Sequence, residues 1–393
     1  MKNRYGKVLI LGALLLGSFF VLYLGLSPVG SVVYDSGNNG DRVESDVDEN
    51  TKEIIEQEPV FVVTHIPVPD AVRAIYMTSC VASTGYWRES LAELVEKTEL
   101  NSIVVDVKDY SGTIAFRSEN PLLKSVKGDG CIVPDMKEFV GFLHDKGIYT
   151  IARITVFQDP VYTSLHPDLA VKKASDMDAV WKDYKGLSFI DAGAKEFWDY
   201  IVALSKESYA IGFDELNFDY IRFPSDGNMS DIYYPFSNSR EKREVLSEFF
   251  AYLNNSLSDI GVYTSADLFG MTTTNKDDLN IGQVLEDADK HFDFIAPMVY
   301  PSHYPPTFNG YGNPNEYPYE VVKYSMDSAV ERLIAASSSH NKLRPWLQDF
   351  DYGGNYDIEE VRAQKQAVYD AGLSSWMLWD PGNIYTRGAL DEG

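Results

Sequence analysis

From residue 71 to the end of the chain, short apolar segments alternate with polar loops and amphipathic helices. Eight candidate strands follow this pattern, at 73–77, 102–109, 148–157, 212–223, 261–269, 292–300, 343–350 and 374–380. Strands that alternate with helices pair in parallel through right-handed crossovers. Eight such units in about 320 residues favour an α/β fold, a (β/α)8 TIM barrel with loop insertions. A doubly wound sheet is the alternative, but TSCVASTGYW after the first strand lacks its GxGxxG motif.

The segments between the strands predict helices and three long insertions. Clear helical patterns lie at 88–98, 135–147, 194–208, 239–257 and 357–372. Ser239 and Asp357 are expected N-caps, and Gly372 is expected to end the last helix. The insertions are 110–134, with a small hairpin at SGTIAF; 158–187, which would cover the site; and 301–322, a long loop on the same rim.

The first 30 residues predict a membrane anchor. Lys2, Arg4 and Lys7 precede the uncharged run Val8–Leu26, whose length is close to the ~20 residues that span a bilayer. The basic side stays in the cytoplasm, so the rest of the chain is expected outside. We predict an N-terminal transmembrane helix and a single-pass protein of the cell membrane. Secretion after cleavage of a signal peptide is the alternative.

Residues 31–66 predict a linker, and residues 67–393 the folded domain. The segment DSGNNGDRVESDVDENTKEIIEQE at 35–58 is rich in acids and nearly free of aromatic residues. It cannot bury enough apolar surface to fold, so we expect a disordered acidic linker.

The net charge and the lack of metal-ligand motifs restrict what this protein is expected to bind. The net charge of −25 argues against nucleic acid, because phosphate binding needs clustered Lys and Arg. The six His form no HxH or HExxH motif, and the two cysteines form no CxxC pair. We therefore predict no metal site and no cofactor. Cys80 and Cys131 are either one disulfide or two buried thiols.

Polar residues collect where the predicted strands end. In a barrel the active site lies at these carboxyl ends. The residues are Asp106, Lys108 and Asp109 on strand two; Glu215, Asn217, Asp219 and Arg222 on strand four; Asp267 on strand five; Tyr300 and then His303 on strand six; Gln348 and Asp349 on strand seven; and Trp379 and Asp380 on strand eight. Five or six polar strand ends in phase indicate one shared site.

Strand four, GFDELNFDYIRFP at 212–224, carries the densest set. Side chains alternate across a strand, so Glu215, Asn217 and Asp219 share one face and Leu216 and Phe218 the other. The apolar face suits packing against helices, so we expect the polar face to point into the barrel with Asp219 near its mouth.

An ionised Asp219 in that position needs partners. Arg222, Lys108 or Arg153 could supply the opposite charge, and Asn217 a hydrogen bond. Such a carboxylate suits a nucleophile or the stabiliser of a developing cation.

Cleavage of a glycosidic bond needs two carboxyl groups, one ionised and one protonated. Asp267 is the predicted partner of Asp219, because neighbouring strand ends lie roughly 5 Å apart. Asp349, across the mouth, is expected to hold sugar hydroxyls or to act as the acid. We interpret Glu215 as structural, and Asp106 as either an internal ion-pair member or a substrate contact.

The remaining candidates are substrate contacts at the rim. Aromatic rings stack on sugar faces, and Trp379, followed by Asp380, is the strongest such candidate. The full predicted substrate-binding set is Asp106, Lys108, Asn217, Arg222, Tyr300, His303, Gln348, Trp379 and Asp380. Each aromatic residue taken singly is also compatible with plain packing.

Six motifs resemble a family of bacterial domains of unknown function that are classed with glycoside hydrolases. They are VVDVKDYSG, GFDELNFDYIRFP, SADLFG, APMVYPSHY, PWLQDF and GLSSWMLWDPGN, and the resemblance covers about residues 71–387. It implies a TIM barrel distantly related to alpha-amylase-like enzymes. By that similarity Asp219 matches the nucleophile position, Asp267 the proton donor and Asp349 the third acid. Two features depart from the amylase pattern: the strand-five acid is Asp rather than Glu, and Arg222 follows Asp219 rather than preceding it.

These observations predict an exported, membrane-tethered glycoside hydrolase that cleaves cell-wall or extracellular polysaccharide by a two-carboxylate, retaining mechanism. The first alternative is a glycan-binding barrel that does not cleave its ligand. The second is a metal-assisted hydrolase that uses Asp106, Asp109 and Asp219, since carboxylates alone suit Ca²⁺ or Mg²⁺.

Overall fold

The computed structural model describes residues 62–393. The predicted anchor and all but the last few residues of the predicted linker lie outside this range. Within residues 62–393 no helix is both long and apolar enough to cross a membrane.

Eight parallel strands close into a barrel, which confirms the predicted fold. The strands are Arg73–Met77, Ser102–Lys108, Tyr149–Thr155, Glu215–Asp219, Tyr263–Phe269, Phe294–Met298, Trp346–Gln348 and Trp376–Trp379. Each strand neighbours the next one in sequence, and the eighth pairs with the first at Arg73 and Trp376. We number these barrel strands one to eight below.

Helices follow the barrel strands and cover their outer side. Their bounds are α1 Ser79–Ala82, α2 Gly85–Glu96, α3 Met136–Asp145, α4 Pro160–Leu165, α5 Lys195–Ala210, α6 Lys242–Leu257, α7 Leu285–Asp289, α8 Pro318–Ala335 and α9 Ile358–Asp370. The five predicted helices are all present as α2, α3, α5, α6 and α9.

Three helix ends test the capping predictions. Asp357 caps α9 in a capping box with Glu360, and Gly372 follows that helix with φ +81°, so both predictions are confirmed. The prediction for Ser239 is wrong. Ser239 lies three residues before α6 with φ +67°, and Glu241 is the N-cap.

The three insertions all lie after strand ends. After strand two the chain folds back at SGTIAF, where the Ala115 N–H donates to the Val107 carbonyl at 2.8 Å, but no second strand forms. The 158–187 insertion contains α4 and a two-stranded antiparallel sheet, Lys172–Lys173 with Asp176–Val180. The third loop is shorter than predicted because Pro318 begins α8, a position that suits proline in a helix.

A disulfide joins Cys80 to Cys131, with 4.9 Å between their Cα atoms. Cys80 belongs to α1 and Cys131 to the first insertion. The bond therefore ties that insertion to the segment that follows strand one.

The barrel interior is a packed core below the mouth. Tyr149, Ile151 and Trp346 are among the side chains that fill it, while Leu216 and Phe218 pack in the layer between strands and helices. Strand four therefore presents its polar side chains to the interior, as its alternation predicted.

Candidate active site

A cavity of about 430 Å³ lies at the carboxyl ends of the strands. Its walls combine charged and aromatic groups, which are Arg153, Asp219, Tyr220, Arg222, Asp267, Phe269, Gly270, Met271, Met298, Tyr300, His303, Tyr304 and Trp379. Cavities of this size hold small-molecule ligands in other proteins. The location is where barrels of this type carry their active sites.

Asp219 ends strand four and is buried, with 4 % of its surface exposed. Its Oδ2 accepts a hydrogen bond from Nη2 of Arg153, and its Oδ1 accepts one from the Tyr220 N–H at 2.5 Å. Tyr220 has φ +52°, an unfavourable conformation for an aromatic residue, which turns the chain directly after Asp219. Backbone and guanidinium together hold the carboxylate at the cavity wall.

Asp267 lies at the same level on strand five. The register pairs Phe218 with Ala266, so Asp219 and Asp267 each follow a paired residue on adjacent strands. Oδ1 of Asp267 accepts from Nδ2 of Asn217 at 2.9 Å and from Nε1 of Trp346 at 2.8 Å. Both hydrogen bonds end on Oδ1, which leaves Oδ2 as the oxygen that can carry a transferable proton.

Arg153, in the middle of strand three, joins the two acids. It pairs with Asp219 through Nη2, and its Nε lies 3.9 Å from Oδ2 of Asp267. Nη1 lies 2.5 Å from Oδ1 of Asp106, and Oδ2 of Asp106 accepts a hydrogen bond from the Tyr76 hydroxyl. One guanidinium group therefore faces three buried carboxyl groups.

The two cavity acids differ in electrostatic environment. Burial, followed by the nearby Asp219 charge, raises the pKa of Asp267 well above its usual range. Asp219 instead forms the closer ion pair with Arg153. A carboxyl group whose pKa is raised, beside an ion-paired carboxylate, is the combination that acid-assisted bond cleavage requires.

Four further predicted residues border the cavity or support it. Tyr300, His303, Arg222 and Trp379 line it directly. Trp379 stacks on Tyr76 with 3.9 Å between ring centroids, so its ring is held in place.

Two residues predicted to contact substrate do not line the cavity but bind the side chains that do. Asn217 has no exposed surface, and its amide donates to Asp267 and Ser265. Asp106 is paired with Arg153 and Tyr76. Both hold cavity residues in position. Glu215, interpreted as structural, pairs with Arg344 at 2.7 Å below the mouth.

Lys108 does not reach the cavity. The register shifts by a β-bulge between Asp106 and Lys108, so Lys108 lies opposite Ile154, which packs in the outer layer. Its ammonium group is fully buried, 2.9 Å from Oδ2 of Asp159. The expectation that Lys108 binds substrate is not supported by this position.

Three predicted polar residues at the ends of strands seven and eight also lie away from the cavity wall. Gln348 is buried and binds Ser302 and the Phe350 carbonyl, so it joins two rim loops. Oδ2 of Asp349 accepts from the Thr386 N–H at 3.0 Å. Asp380 accepts from the backbone of its own turn. Of the three predicted catalytic acids, the structure brings together Asp219 and Asp267 but not Asp349.

The proposed metal ligands do not form a cluster. Oδ1 of Asp109 accepts from the Ser111 N–H and hydroxyl, whereas Asp106 and Asp219 both bind Arg153. Across residues 62–393, no group of three or more His, Cys, Asp or Glu side chains is arranged to hold a metal ion.

Two important site residues were not in the predicted set. The sequence predicts Arg153 only as a possible charge partner of Asp219, and it predicts no role for Tyr76. A single Arg within the apolar run IYTIARITVF is the available signal, because a buried charge must be paired. Tyr76 has no comparable signal, since tyrosine is common in strands.

Comparison with known proteins gives one family. Residues 74–385 match the family described as "Putative glycosyl hydrolase domain". No curated protein matches the sequence.

Several solved structures are similar to this chain. The PgaB (BpsB) glycoside hydrolase domain from Bordetella bronchiseptica has a TM-score of 0.58 at 13% identity, over 79% of this chain and 94% of that one. Alpha-L-fucosidase isoenzyme 2 from Paenibacillus thiaminolyticus has a TM-score of 0.54 at 11% identity, over 82% of this chain and 47% of that one. A hypothetical protein from Ruminiclostridium thermocellum ATCC 27405 is 32% identical over 49% of this chain and 96% of that one, with a TM-score of 0.45. The first two similarities show that glycoside hydrolases use this barrel fold.

Proposed function

The chain belongs to this glycosyl hydrolase domain family, and on that premise we propose that it hydrolyses glycosidic bonds with Asp219 and Asp267. The observation that carries the proposal is the pair of carboxyl groups on adjacent strands in one cavity, both facing Arg153. The substrate class we propose is cell-wall or extracellular polysaccharide.

In the proposed reaction Asp267 donates its proton to the glycosidic oxygen while the bond from that oxygen to the anomeric carbon breaks. The Asp219 carboxylate bonds to the anomeric carbon or stabilises its positive charge. Asp267, now ionised, then takes a proton from water, and the water oxygen displaces Asp219. Equivalent positions on adjacent strands support a retaining outcome, which needs carboxyl groups about 5–5.5 Å apart.

The supporting groups have defined tasks in this scheme. Asn217 and Trp346 fix the Asp267 carboxyl through Oδ1. Arg153 keeps the charge of Asp219 compensated until the anomeric carbon becomes positive. Tyr300 lines the same cavity as both acids, and burial, followed by the Asp267 and Asp219 charges, raises the pKa of its hydroxyl. The hydroxyl is therefore a neutral hydrogen-bond donor at the reacting centre.

Digestion of a glycan panel by the purified full-length chain tests this function. Asp219→Asn and Asp267→Asn should each abolish cleavage with the fold intact by circular dichroism. Asp145→Asn, at an exposed site at the end of α3, is the matched control and should cleave like wild type. Turnover close to wild type in both site variants would rule out the mechanism.

A glycan-binding role without cleavage is the second candidate. Both oxygens of Asp219 are occupied, one by Arg153 and one by the Tyr220 N–H, which suits a fixed acceptor as well as a nucleophile. Under this alternative, wild type binds an oligosaccharide by calorimetry but releases no reducing ends. A covalent intermediate trapped on Asp219 with a fluorinated glycoside would decide for catalysis.

We also propose that the protein is exported and tethered to the cell membrane by Val8–Leu26, with the barrel outside. The Cys80–Cys131 disulfide supports an oxidising location. In a cell fractionation, the full-length chain should sediment with membranes and the barrel should be cleaved by added protease in intact spheroplasts. A soluble product in the medium that begins after residue 26 would favour the secreted alternative.

A further inference from the structure

A second cavity of about 440 Å³ adjoins the one that contains the carboxyl groups. The two cavities share Arg153, Tyr220, Arg222 and Trp379, which form a ridge between them. We call the cavity with Asp219 and Asp267 the carboxylate lobe, and the other the polar lobe. The polar lobe is also lined by Tyr110, Asp183, Lys185 and Asp226.

The ridge is held by interactions on both sides. The Arg222 guanidinium lies over the rings of Tyr220 and Phe269, at 4.9 and 4.6 Å from their centroids. The Arg153 guanidinium lies 5.0 Å from the Trp379 ring centroid. A ridge fixed in this way keeps the two lobes separate but adjacent, so one extended ligand can lie across both.

The polar lobe has the chemistry of a sugar subsite. Asp183 and Asp226 supply acceptors for hydroxyl groups, and Lys185 supplies a donor. Tyr110 is 57 % exposed, so much of its ring is open to stack on a ligand. Both carboxylates line the lobe together with Arg222. Burial lowers the pKa of the Arg222 guanidinium, and the two negative charges act in the opposite direction.

Chain segments from three different places build this lobe. Tyr110 follows strand two, Asp183 and Lys185 come from the 158–187 insertion, and Asp226 follows strand four. Oδ1 of Asp183 accepts from the Lys185 and Leu187 N–H groups, which fixes the tip of the insertion. The insertion therefore forms a wall of the cleft, as an extended binding site requires.

We propose that the polar lobe binds sugar units of a polymer that continues past the cleaved bond, so that the enzyme cuts within chains rather than only at their ends. This inference rests on the proposed function and specifies its substrate as a chain that occupies both lobes. An enzyme that cleaves only at chain ends would not need a second sugar-binding cavity on the far side of the ridge from its carboxyl groups.

Binding measurements on an uncleaving background test the inference without relying on catalysis. In Asp267→Asn, calorimetry compares dimers with hexamers of the chito-, cello-, malto- and xylo-oligosaccharide series. In at least one series we expect the hexamer to bind more tightly than the dimer. Adding Tyr110→Ala and Asp226→Ala should reduce that gain by at least about tenfold, since hydrogen bonds to charged groups and stacking are lost together.

The matched control pair is Tyr263→Ala with Asp145→Ala. Tyr263 begins strand five and is 43 % exposed, and Asp145 ends α3, so both lie at the opposite end of the barrel from the lobes. The control pair should keep the hexamer gain. If no series shows a gain, or if the lobe variants keep it, the inference is wrong.

Cleavage products give the second measurement. Wild type should release oligosaccharides of mixed length early in digestion of a polymer, and the lobe variants should lose kcat/KM on hexamers more than on dimers. Absence of any cleavage by wild type would count against the proposed function and not against the lobe, which the binding comparison tests separately. Release of single terminal units alone would overturn the inference while leaving hydrolysis intact.

Discussion

Replacing Arg153 by methionine should expose how strongly the site depends on one cation. Arg153 is 4 % exposed and pairs with Asp106 and Asp219, with Asp267 3.9 Å away. Methionine keeps much of the side-chain volume but leaves these carboxyl groups without their shared partner. Removing one member of a buried ion pair costs about 3–5 kcal/mol. For a domain of this size we expect the melting temperature to fall by about 4–7 °C.

The loss should depend on pH in a defined direction. Burial already raises the pKa of Asp106 and of Asp267, and removing Arg153 raises both further. A carboxyl whose folded pKa lies above its unfolded value makes the folded state bind more protons, so stability falls as pH rises. The difference between Arg153→Met and wild type should therefore be largest near pH 7.5 and shrink toward pH 4.

Thermal melts of the purified chain by circular dichroism, at pH 4.5, 6 and 7.5, measure this effect. Lys206→Met is the control, because its ion pair with Asp259 is exposed and should leave the melting temperature unchanged. If Arg153→Met melted within about 2 °C of wild type at every pH, the three carboxyl groups would not depend on Arg153.

Three further predictions concern other groups. Asp267→Asn should leave no measurable hydrolysis of natural glycosides but should slow aryl glycosides with good leaving groups much less, whereas Asp219→Asn should abolish both activities. Equal losses on the two substrate types in Asp267→Asn would contradict its role as the acid. Burial raises the pKa of Asp349 to about 6, so ionisation of this carboxyl lowers the stability of the fold as pH rises from about 4 to 6. Asp349→Asn should therefore raise the free energy of unfolding in urea by up to about 3 kcal/mol at pH 8 and by almost nothing at pH 4. Replacing both Cys80 and Cys131 with serine should lower the free energy of unfolding by about 2–4 kcal/mol in the same urea experiment. Wild type should lose a similar amount when reductant is added.

The fold could be predicted because its strands are buried on both faces. Such strands appear as short apolar runs between amphipathic helices, and every one of the eight lies where a run predicted it. Seven of the eight observed strands are shorter than predicted, by up to several residues; strand seven, for example, comprises Trp346–Gln348. Ser239 failed as a cap because a cap needs its own backbone geometry, which residue type does not determine.

The site could be predicted only where the strand alternation continues unbroken. Asp219 and Asn217 lie on the interior face of strand four because that strand is regular through both. Lys108 fails because a bulge after Asp106 turns it to the outer layer. No residue type in VVDVKDYSG predicts that bulge, so the register of strand two cannot be predicted from the sequence.

Arg153 shows how the register, once known, accounts for the whole cluster. Strand three pairs Arg153 with Asp106 on one side and with Asn217 on the other. A buried guanidinium at that level can be accommodated only if carboxylates reach it from the flanking strands, because an unpaired charge there would cost several kcal/mol. Asp106, the residue that pairs with Arg153 on strand two, forms an ion pair with it, and so does Asp219, which lies two residues after Asn217 on strand four. The acids at these strand ends are therefore a coupled set around one cation, and a substrate that displaces the Asp219 pairing must compensate Arg153 in turn.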